Sequence, residues 1–190
     1  MSPPLVLASA SPRRLALLAQ IGLVPDSVLA TDIDETPGPA ESPREYAQRM
    51  ASEKAAAAAT PGSYVLAADT VVALGRRILP KADDADTVRR CVAMLSGRRH
   101  QVITALVLVG PDGGRSARTC ITAVAFARLS HEQLDAYVAC GEGIGKAGGY
   151  AIQGRAAGFT RLLTGSYSGV VGLPLFETAQ VLRGRGYPVP

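Results

Sequence analysis

The sequence predicts an α/β fold, and three stretches carry that prediction. Residues Leu5–Ala8 form a short apolar run that is followed by a helical pattern. Residues Tyr64–Leu74 are almost wholly apolar and rich in β-branched side chains, which indicates a core strand. Two further strands, 102–109 and 119–126, flank the Gly-Pro-Asp-Gly-Gly turn at 110–114 and predict an antiparallel hairpin. With 190 residues, the chain has the length of one domain or of two lobes that share a sheet.

The first strand leads into a helix with clear start and stop signals. Ser11 suits the N-cap, Pro12 the first helical position and Gly22 the end of the helix. The start of this helix brings free backbone N–H groups, the positive helix end, two hydroxyls and two guanidinium groups to one spot, which is what a phosphate needs. An ordinary capped helix with solvated arginines is the alternative. The residues of this candidate anion site are Ser9, Ser11, Arg13 and Arg14.

An acidic segment follows. Asp32, Asp34 and Glu35 stand close together within residues 31–37, which lack helical periodicity and predict a loop. Acidic clusters on loops are usually solvated. This cluster gains a functional meaning only if a metal ion or another cation lies opposite it.

The next helix contains a lysine that is out of pattern. Ser42-Pro-Arg-Glu45 is a capping box and opens a helix that extends through the alanine run to Ala59. Tyr46, Met50 and Lys54 recur every fourth residue, so the lysine shares a face with apolar side chains. Its ammonium either snorkels to the edge of the core, which is the commoner outcome, or reaches into a polar cleft.

Asp69 is the one charge in the apolar run 64–74. Burying an unpaired carboxylate costs several kcal/mol or more, so such a group needs a cation, a metal or hydrogen-bond donors. If the run is a strand, Asp69 and Thr70 project a carboxylate and a hydroxyl from a rigid sheet. The alternative is that Asp69 caps a turn or pairs with a buried arginine.

The remaining elements follow from local signals. They are a turn at 76–81, a helix at 83–95 with Val88, Cys91, Val92 and Leu95 on one face, a helix from the Ser130 capping box to about Val138, a strand at 159–163, a turn region at 165–172, and a last helix from Pro174 or Leu175 to about Arg183.

A glycine-rich loop occupies residues 141–158. It contains G-x-G-x-x-G at 143–148, but it follows a helix rather than a strand, and the acidic residue of a dinucleotide site is missing. It also lacks the spacing and the Ser/Thr of a P-loop. The loop is either a flexible crossover or a backbone that closes on a ligand and presents Lys146 and Gln153.

The composition excludes several classes of protein. Net charge is +4 and the pI is about 9.2, but there is no Lys/Arg tract and no Trp, so a nucleic-acid-binding platform is not indicated. Cys91, Cys120 and Cys140 are far apart, which predicts a reduced, cytoplasmic chain without a zinc site. We expect neither a signal peptide nor a membrane span.

The order of these stretches resembles the Maf family of nucleoside triphosphate pyrophosphatases. The matching stretches are LASASPRR, DIDETP, SPREYAQRMASEKA, AADTVV, ILPK, LSGRRHQV, KAGGYAIQG and GSYSGVVGLPLFET. The resemblance implies one Maf-like domain over residues 1–190, with an elongated, inosine triphosphatase-like mixed β-sheet, flanking helices and two lobes around a central cleft. It also implies hydrolysis of a nucleoside triphosphate to the monophosphate and pyrophosphate with a divalent cation, Mg²⁺ or Mn²⁺, in the house-cleaning of nucleotide pools and with a link to cell division arrest.

Three positions resemble the branch of the family that acts on dTTP and UTP. Arg13, Thr70 and Gln153 match its substrate-specificity residues. Two stretches depart from the family pattern: ILPKA stands where ILGKP is usual, and Gly145 stands where an acid is common. The second departure removes a carboxylate from the expected metal or water contacts.

The resemblance also assigns roles to other residues. Asp69 is implied as the proton acceptor for the attacking water, and Glu35 with Asp69 as the metal contacts. The implied phosphate-binding residues are Ser9, Ser11, Arg14, Lys54, Lys81 and Lys146. The expected partner is a nucleoside triphosphate, without a stable nucleic-acid complex or a membrane, and a homodimer is left open. Two alternatives are a pyrophosphatase for modified or non-standard nucleotides, including 7-methyl-GTP, and a non-catalytic regulator of septum formation that binds nucleic acid or a partner.

Overall fold

The computed structural model describes residues 2–190 and contains one seven-stranded mixed sheet. Its strands follow the order β2-β1-β3-β5-β6-β7, and β4 pairs with the end of β3. The strands are β1 Leu5–Ala8, β2 Ser27–Leu29, β3 Tyr64–Leu74, β4 Arg77–Leu79, β5 Arg99–Val109, β6 Arg115–Phe126 and β7 Thr160–Thr164. The α-helices of these residues are α1 Pro12–Gln20, α2 Pro43–Ala57, α3 Ala85–Leu95, α4 His131–Ala139, α5 Tyr167–Val171 and α6 Leu175–Gly184, and a 3₁₀ helix covers Arg155–Phe159.

Strand β3 joins the two halves of the sheet. Its first residues pair in parallel with β1, ending at the Ala8–Ala67 pair, whereas its antiparallel pairing with β5 continues to Ala73. Asp69 and Thr70 therefore lie beyond the end of β1, on a strand that β5 still holds. The parting of β1 from β3 leaves space beside these two side chains.

Helices cover both faces of the sheet. The alanines of α2 (Ala47, Ala51 and Ala55) are buried against the sheet, and their small side chains allow a close approach. A second cluster joins α1 and α6 to β1, β3 and β5, and a third surrounds α3 with parts of α4, β5 and β6. None of the helices within residues 2–190 is long and apolar enough to cross a membrane.

The predicted α/β class, the core strand at 64–74, the hairpin and both capping boxes are confirmed. Three local predictions are wrong. The turn at 76–81 contains β4, the turn region at 165–172 contains α5, and Phe159 ends a 3₁₀ helix so that β7 starts at Thr160. Ser11 is the N-cap of α1 and Pro12 its first residue, as predicted, but the Ser11 side chain makes no capping bond. Strand β2 was not predicted, because its three residues are exposed and form no alternating pattern.

Candidate active site

A cleft of about 910 Å³ opens where β1 and β3 part. Every residue to which the sequence analysis gave a role in a site lines this cleft. These residues are Ser9, Ser11, Arg13, Arg14, Glu35, Lys54, Asp69, Thr70, Lys81, Lys146 and Gln153. The structure therefore brings together, in one place, side chains that are as far apart in the sequence as Ser9 and Gln153.

Lys54 holds the two carboxylates that were expected at the site. Its ammonium donates to Asp69 Oδ1 at 2.6 Å and lies 2.7 Å from Glu35 Oε1. The lysine and aspartate side chains are 11% and 12% exposed, whereas that of Glu35 is 52% exposed. Lys54 thus reaches from the buried face of α2 into the cleft, and Asp69 is paired with a lysine rather than an arginine. Of the acidic cluster, Glu35 lies opposite this cation, whereas Asp32 and Asp34 do not line the cleft.

The acidic segment is fastened to α2 by two residues that the sequence analysis did not identify. The hydroxyl of Tyr46 donates to the carbonyl oxygen of Glu35 at 2.7 Å, and Arg49 donates to the carbonyl oxygen of Thr36 at 2.9 Å. Burial, together with the negative charges of Asp69 and Glu35, raises the pKa of Tyr46 to about 12, so this hydroxyl remains a donor at neutral pH. The position of Tyr46 one turn before Met50 and two turns before Lys54 was the available signal.

Arg14 joins the start of α1 to β3 and to the residue that follows α5. Its guanidinium donates to the carbonyl oxygen of Gly172 at 2.8 Å and to Ser9 Oγ at 3.0 Å, and lies 3.4 Å from Thr70 Oγ1. Burial lowers the pKa of Arg14, and the charge of Asp69 opposes that shift. Arg14 therefore has two roles: it brings a positive charge to the cleft, and its hydrogen bonds fix neighbouring protein groups, including the Ser9 hydroxyl.

Thr70 belongs to a buried hydrogen-bond chain. Thr104, the residue opposite Thr70 on β5, donates to the carbonyl oxygen of Gly169 at 2.7 Å and lies 3.0 Å from the Thr70 hydroxyl. Because a hydroxyl has one proton, Thr104 is left to accept from Thr70. These hydrogen bonds connect β3 to α5. Nothing in the local sequence around Thr104 predicts that it takes part in them.

Lys81 and Lys146 lie on two segments that pair with each other. Lys81 and Ala147 form an isolated antiparallel β-bridge through their backbones, and the N–H of Ala82 donates to the carbonyl oxygen of Lys146 at 3.0 Å. The pKa of Lys146 is lowered by burial and then by the nearby charges of Arg13 and Lys81. The chain contains only three lysines, and all three line the cleft. A cleft lined by several positively charged side chains is suited to binding a polyanion.

Gly145 has a structural reason to be glycine. Its φ is +72°, a conformation that L residues rarely adopt, and its N–H donates to the carbonyl oxygen of Ala82 at 2.7 Å. The residue that follows Ala82, Asp83, also lines the cleft. An acid at 145 would have to adopt a strained backbone in this loop.

The glycine-rich loop is held in place by buried aromatic residues. The hydroxyl of Tyr150 is 2.9 Å from His100 Nε2, and the hydroxyl of Tyr137 accepts from the N–H of Ala151 at 3.1 Å. Burial lowers the pKa of His100 to about 4, so it is neutral at neutral pH. These contacts favour the second interpretation of the loop, a fixed backbone that presents Gln153 to the cleft, over a flexible crossover.

The two carboxylates fit a divalent cation that is shared with a substrate. Among residues 2–190, no group of three or more His, Cys, Asp or Glu side chains is placed to hold a metal by itself. Glu35 and Asp69 nevertheless converge on one positive charge, the ammonium of Lys54. Mg²⁺ is commonly bound by one or two carboxylates together with phosphate oxygens and water, which is the donor set that this cleft offers with a bound triphosphate.

Comparison with known proteins decides the family. Residues 4–185 match the family model described as Maf-like protein. The chain belongs to the Maf family. Among its Maf relatives, a protein from Rhodospirillum rubrum is 61% identical over 98% of this chain and 90% of its own length, and one from Caulobacter vibrioides is 58% identical over 97% of both. Both relatives carry the name dTTP/UTP pyrophosphatase.

A solved structure supports the fold at lower similarity. A HAM1 protein from Coxiella burnetii superimposes with a TM-score of 0.52 at 17% identity, covering 95% of this chain and 98% of its own. This likeness concerns the fold alone. It agrees with the mixed sheet and flanking helices that the Maf resemblance implied.

Proposed function

We propose that this Maf-family chain is a pyrophosphatase that hydrolyses dTTP and UTP to the nucleoside monophosphate and pyrophosphate. One observation carries the proposal: two carboxylates converge on Lys54 inside a cleft that also gathers the other two lysines and Arg13. Relatives 53–61% identical to this chain are named dTTP/UTP pyrophosphatases, and they supply the nucleotide class.

Asp69 is the proton acceptor in this proposal. Lys54 is the one described residue hydrogen-bonded to its carboxylate, through Oδ1, and the side chain faces the cleft from a strand that β5 holds rigid. The carboxylate takes a proton from the attacking water as a new P–O bond forms. The bond between the α-phosphate and the bridging oxygen of the β-phosphate breaks, and pyrophosphate leaves. A fixed base on a rigid element suits this step.

The cationic residues would hold the triphosphate during this step. Lys81 and Lys146 come from two paired segments of the cleft wall, and Arg14, at the start of α1, is hydrogen-bonded to Ser9. Phosphoryl transfer depends chiefly on positioning and on neutralising charge, so such side chains contribute directly to the rate. Glu35 and Asp69 would hold a divalent cation, which, when bound, neutralises developing negative charge on the phosphate oxygens.

Gln153 would read the base. The edge of uracil or thymine presents a carbonyl acceptor and an N–H donor, and a glutamine amide can answer both. The amide selects only if its orientation is fixed, and the loop that carries it is anchored at Tyr150 and Ala151. The Thr70 hydroxyl is already hydrogen-bonded to Arg14 and Thr104. Thr70 would therefore affect the choice of base indirectly, by keeping these neighbouring residues in position.

A panel of nucleotides tests the proposal. With Mg²⁺ present, we expect kcat/KM for dTTP and UTP to exceed that for CTP by at least roughly tenfold, because a mismatched edge leaves buried polar groups unpaired. Gln153→Leu should narrow this ratio while retaining hydrolysis, and Gln180→Leu, at an exposed position of α6, should leave it unchanged. Equal rates on UTP and CTP, or a preference for 7-methyl-GTP, would contradict the assignment. No hydrolysis of any nucleotide would favour a non-catalytic role.

A further inference from the structure

A second, smaller cavity opens beside the cleft. It is open to solvent, has a volume of about 180 Å³ and is lined by residues of α1, α5 and the glycine-rich loop. Arg13, Gln153 and Val171 line both the cavity and the cleft, so the two spaces are adjoining. The remaining wall consists of Ala16, Leu17, Gln20 and Tyr167.

The chemistry of this wall suits a flat ring whose edge carries polar atoms. Two of its polar residues, Arg13 and Gln153, are shared with the cleft, and a third, Gln20, belongs to α1. Ala16, Leu17 and Val171 supply apolar surface. Tyr167 adds an aromatic ring that is 51% exposed, so its surface is accessible to a ligand. A cavity of roughly 150 Å³ accommodates benzene, so about 180 Å³ is the right size for a single six-membered ring.

Tyr167 stands on a short helix that the sheet holds firmly. The Ser166 side chain accepts from the N–H of Gly169 at 3.0 Å, and the N–H of Ser166 donates to Thr122 Oγ1 at 3.0 Å. Thr104 binds the carbonyl oxygen of Gly169 from the neighbouring strand. The aromatic ring is therefore presented from a fixed backbone rather than from a mobile loop.

We propose that this side cavity receives the pyrimidine base of the substrate and that Tyr167 is a specificity residue that stacks on it. The inference rests on the proposed function, since it places the base of a nucleotide whose triphosphate lies among the cleft lysines. The ring enters past Arg13 and Gln153, which face its polar edge, and its faces meet Tyr167 and the apolar wall. A cavity for one ring favours pyrimidines over the two fused rings of a purine.

Variants of Tyr167 and of Ala16 test the subsite through KM for the nucleotide. Tyr167→Ala should raise KM for dTTP and UTP by roughly tenfold with kcat little changed, because stacking of a base on an aromatic side chain is lost. Tyr167→Phe keeps the ring and should keep KM near the wild-type value. Phe176→Ala is the matched control, since Phe176 is 72% exposed on α6 and does not line the cavity.

A second test places a larger side chain into the cavity from α1. Ala16→Leu should raise KM severalfold by occupying the space, whereas Ala19→Leu on the same helix, away from the cavity, should not. Wild-type KM values in folded Tyr167→Ala and Ala16→Leu proteins would overturn the subsite while the wild type still cleaves dTTP. A wild-type protein that fails to cleave dTTP or UTP would overturn both the subsite and the proposed function.

Discussion

The Asp69→Asn variant should lose at least about 10²-fold in kcat toward dTTP and UTP. Asparagine keeps the shape of the side chain but removes both the proton acceptor and one negative charge that faces Lys54. Because Asp69 lies on β3 between intact β5 pairs, the backbone at this position should not move. Steady-state kinetics at saturating nucleotide and Mg²⁺ measure the loss.

The control for this variant is a carboxylate outside the cleft. Asp112 lies in the hairpin turn and contacts Arg185, so Asp112→Asn should keep wild-type kcat. Excess EDTA should abolish the activity of the wild type, since the two carboxylates are proposed to hold a divalent cation. Full activity in Asp69→Asn would remove Asp69 from the mechanism.

The Lys54→Met variant should lose at least about 10²-fold in kcat/KM and should also be less stable. Methionine keeps the length of an apolar stem but deletes the charge that both carboxylates contact. Removing one partner of a buried ion pair typically costs about 3–5 kcal/mol, because the other charge is left uncompensated. The affected carboxylate is that of Asp69, whose side chain is 12% exposed. Thermal unfolding and kinetics on the same preparation measure the two effects.

A double variant separates the two roles of Lys54. In Lys54→Met with Asp69→Asn, no buried charge is left unpaired, because the remaining carboxylate, Glu35, is 52% exposed to solvent. We therefore expect the melting temperature to recover toward the wild-type value. Activity should not recover, because the base and the ammonium are both absent. Recovery of activity along with stability would show that neither the Lys54 ammonium nor the Asp69 carboxylate is needed for catalysis.

Local patterns were enough to predict much of the fold. The capping boxes at Ser42 and Ser130 and the apolar run of β3 depend on neighbouring residues, and the structure agrees with them. Strand β2 and helix α5 could not be predicted in the same way. Both are short, and α5 depends on bonds from Thr104 and Thr122 that are distant in the sequence.

The candidate site could be located from residues that break a pattern. Asp69 interrupts an apolar strand, and Lys54 interrupts the apolar face of a helix, so each required a partner. Their partnership could not be derived from spacing, because it depends on how α2 packs on β3. Likewise, the bond from Arg14 to the carbonyl oxygen of Gly172 joins residues at opposite ends of the chain.

The products formed from dTTP test the central claim most directly. Purified protein with Mg²⁺ and dTTP can be followed by phosphorus NMR, which distinguishes pyrophosphate from orthophosphate and the monophosphate from the diphosphate. Cleavage between the α and β phosphates in the Asp69 cleft predicts dTMP and pyrophosphate in equal amounts, with neither product in Asp69→Asn. Formation of dTDP and orthophosphate, or an undiminished yield of dTMP in Asp69→Asn, would contradict the account.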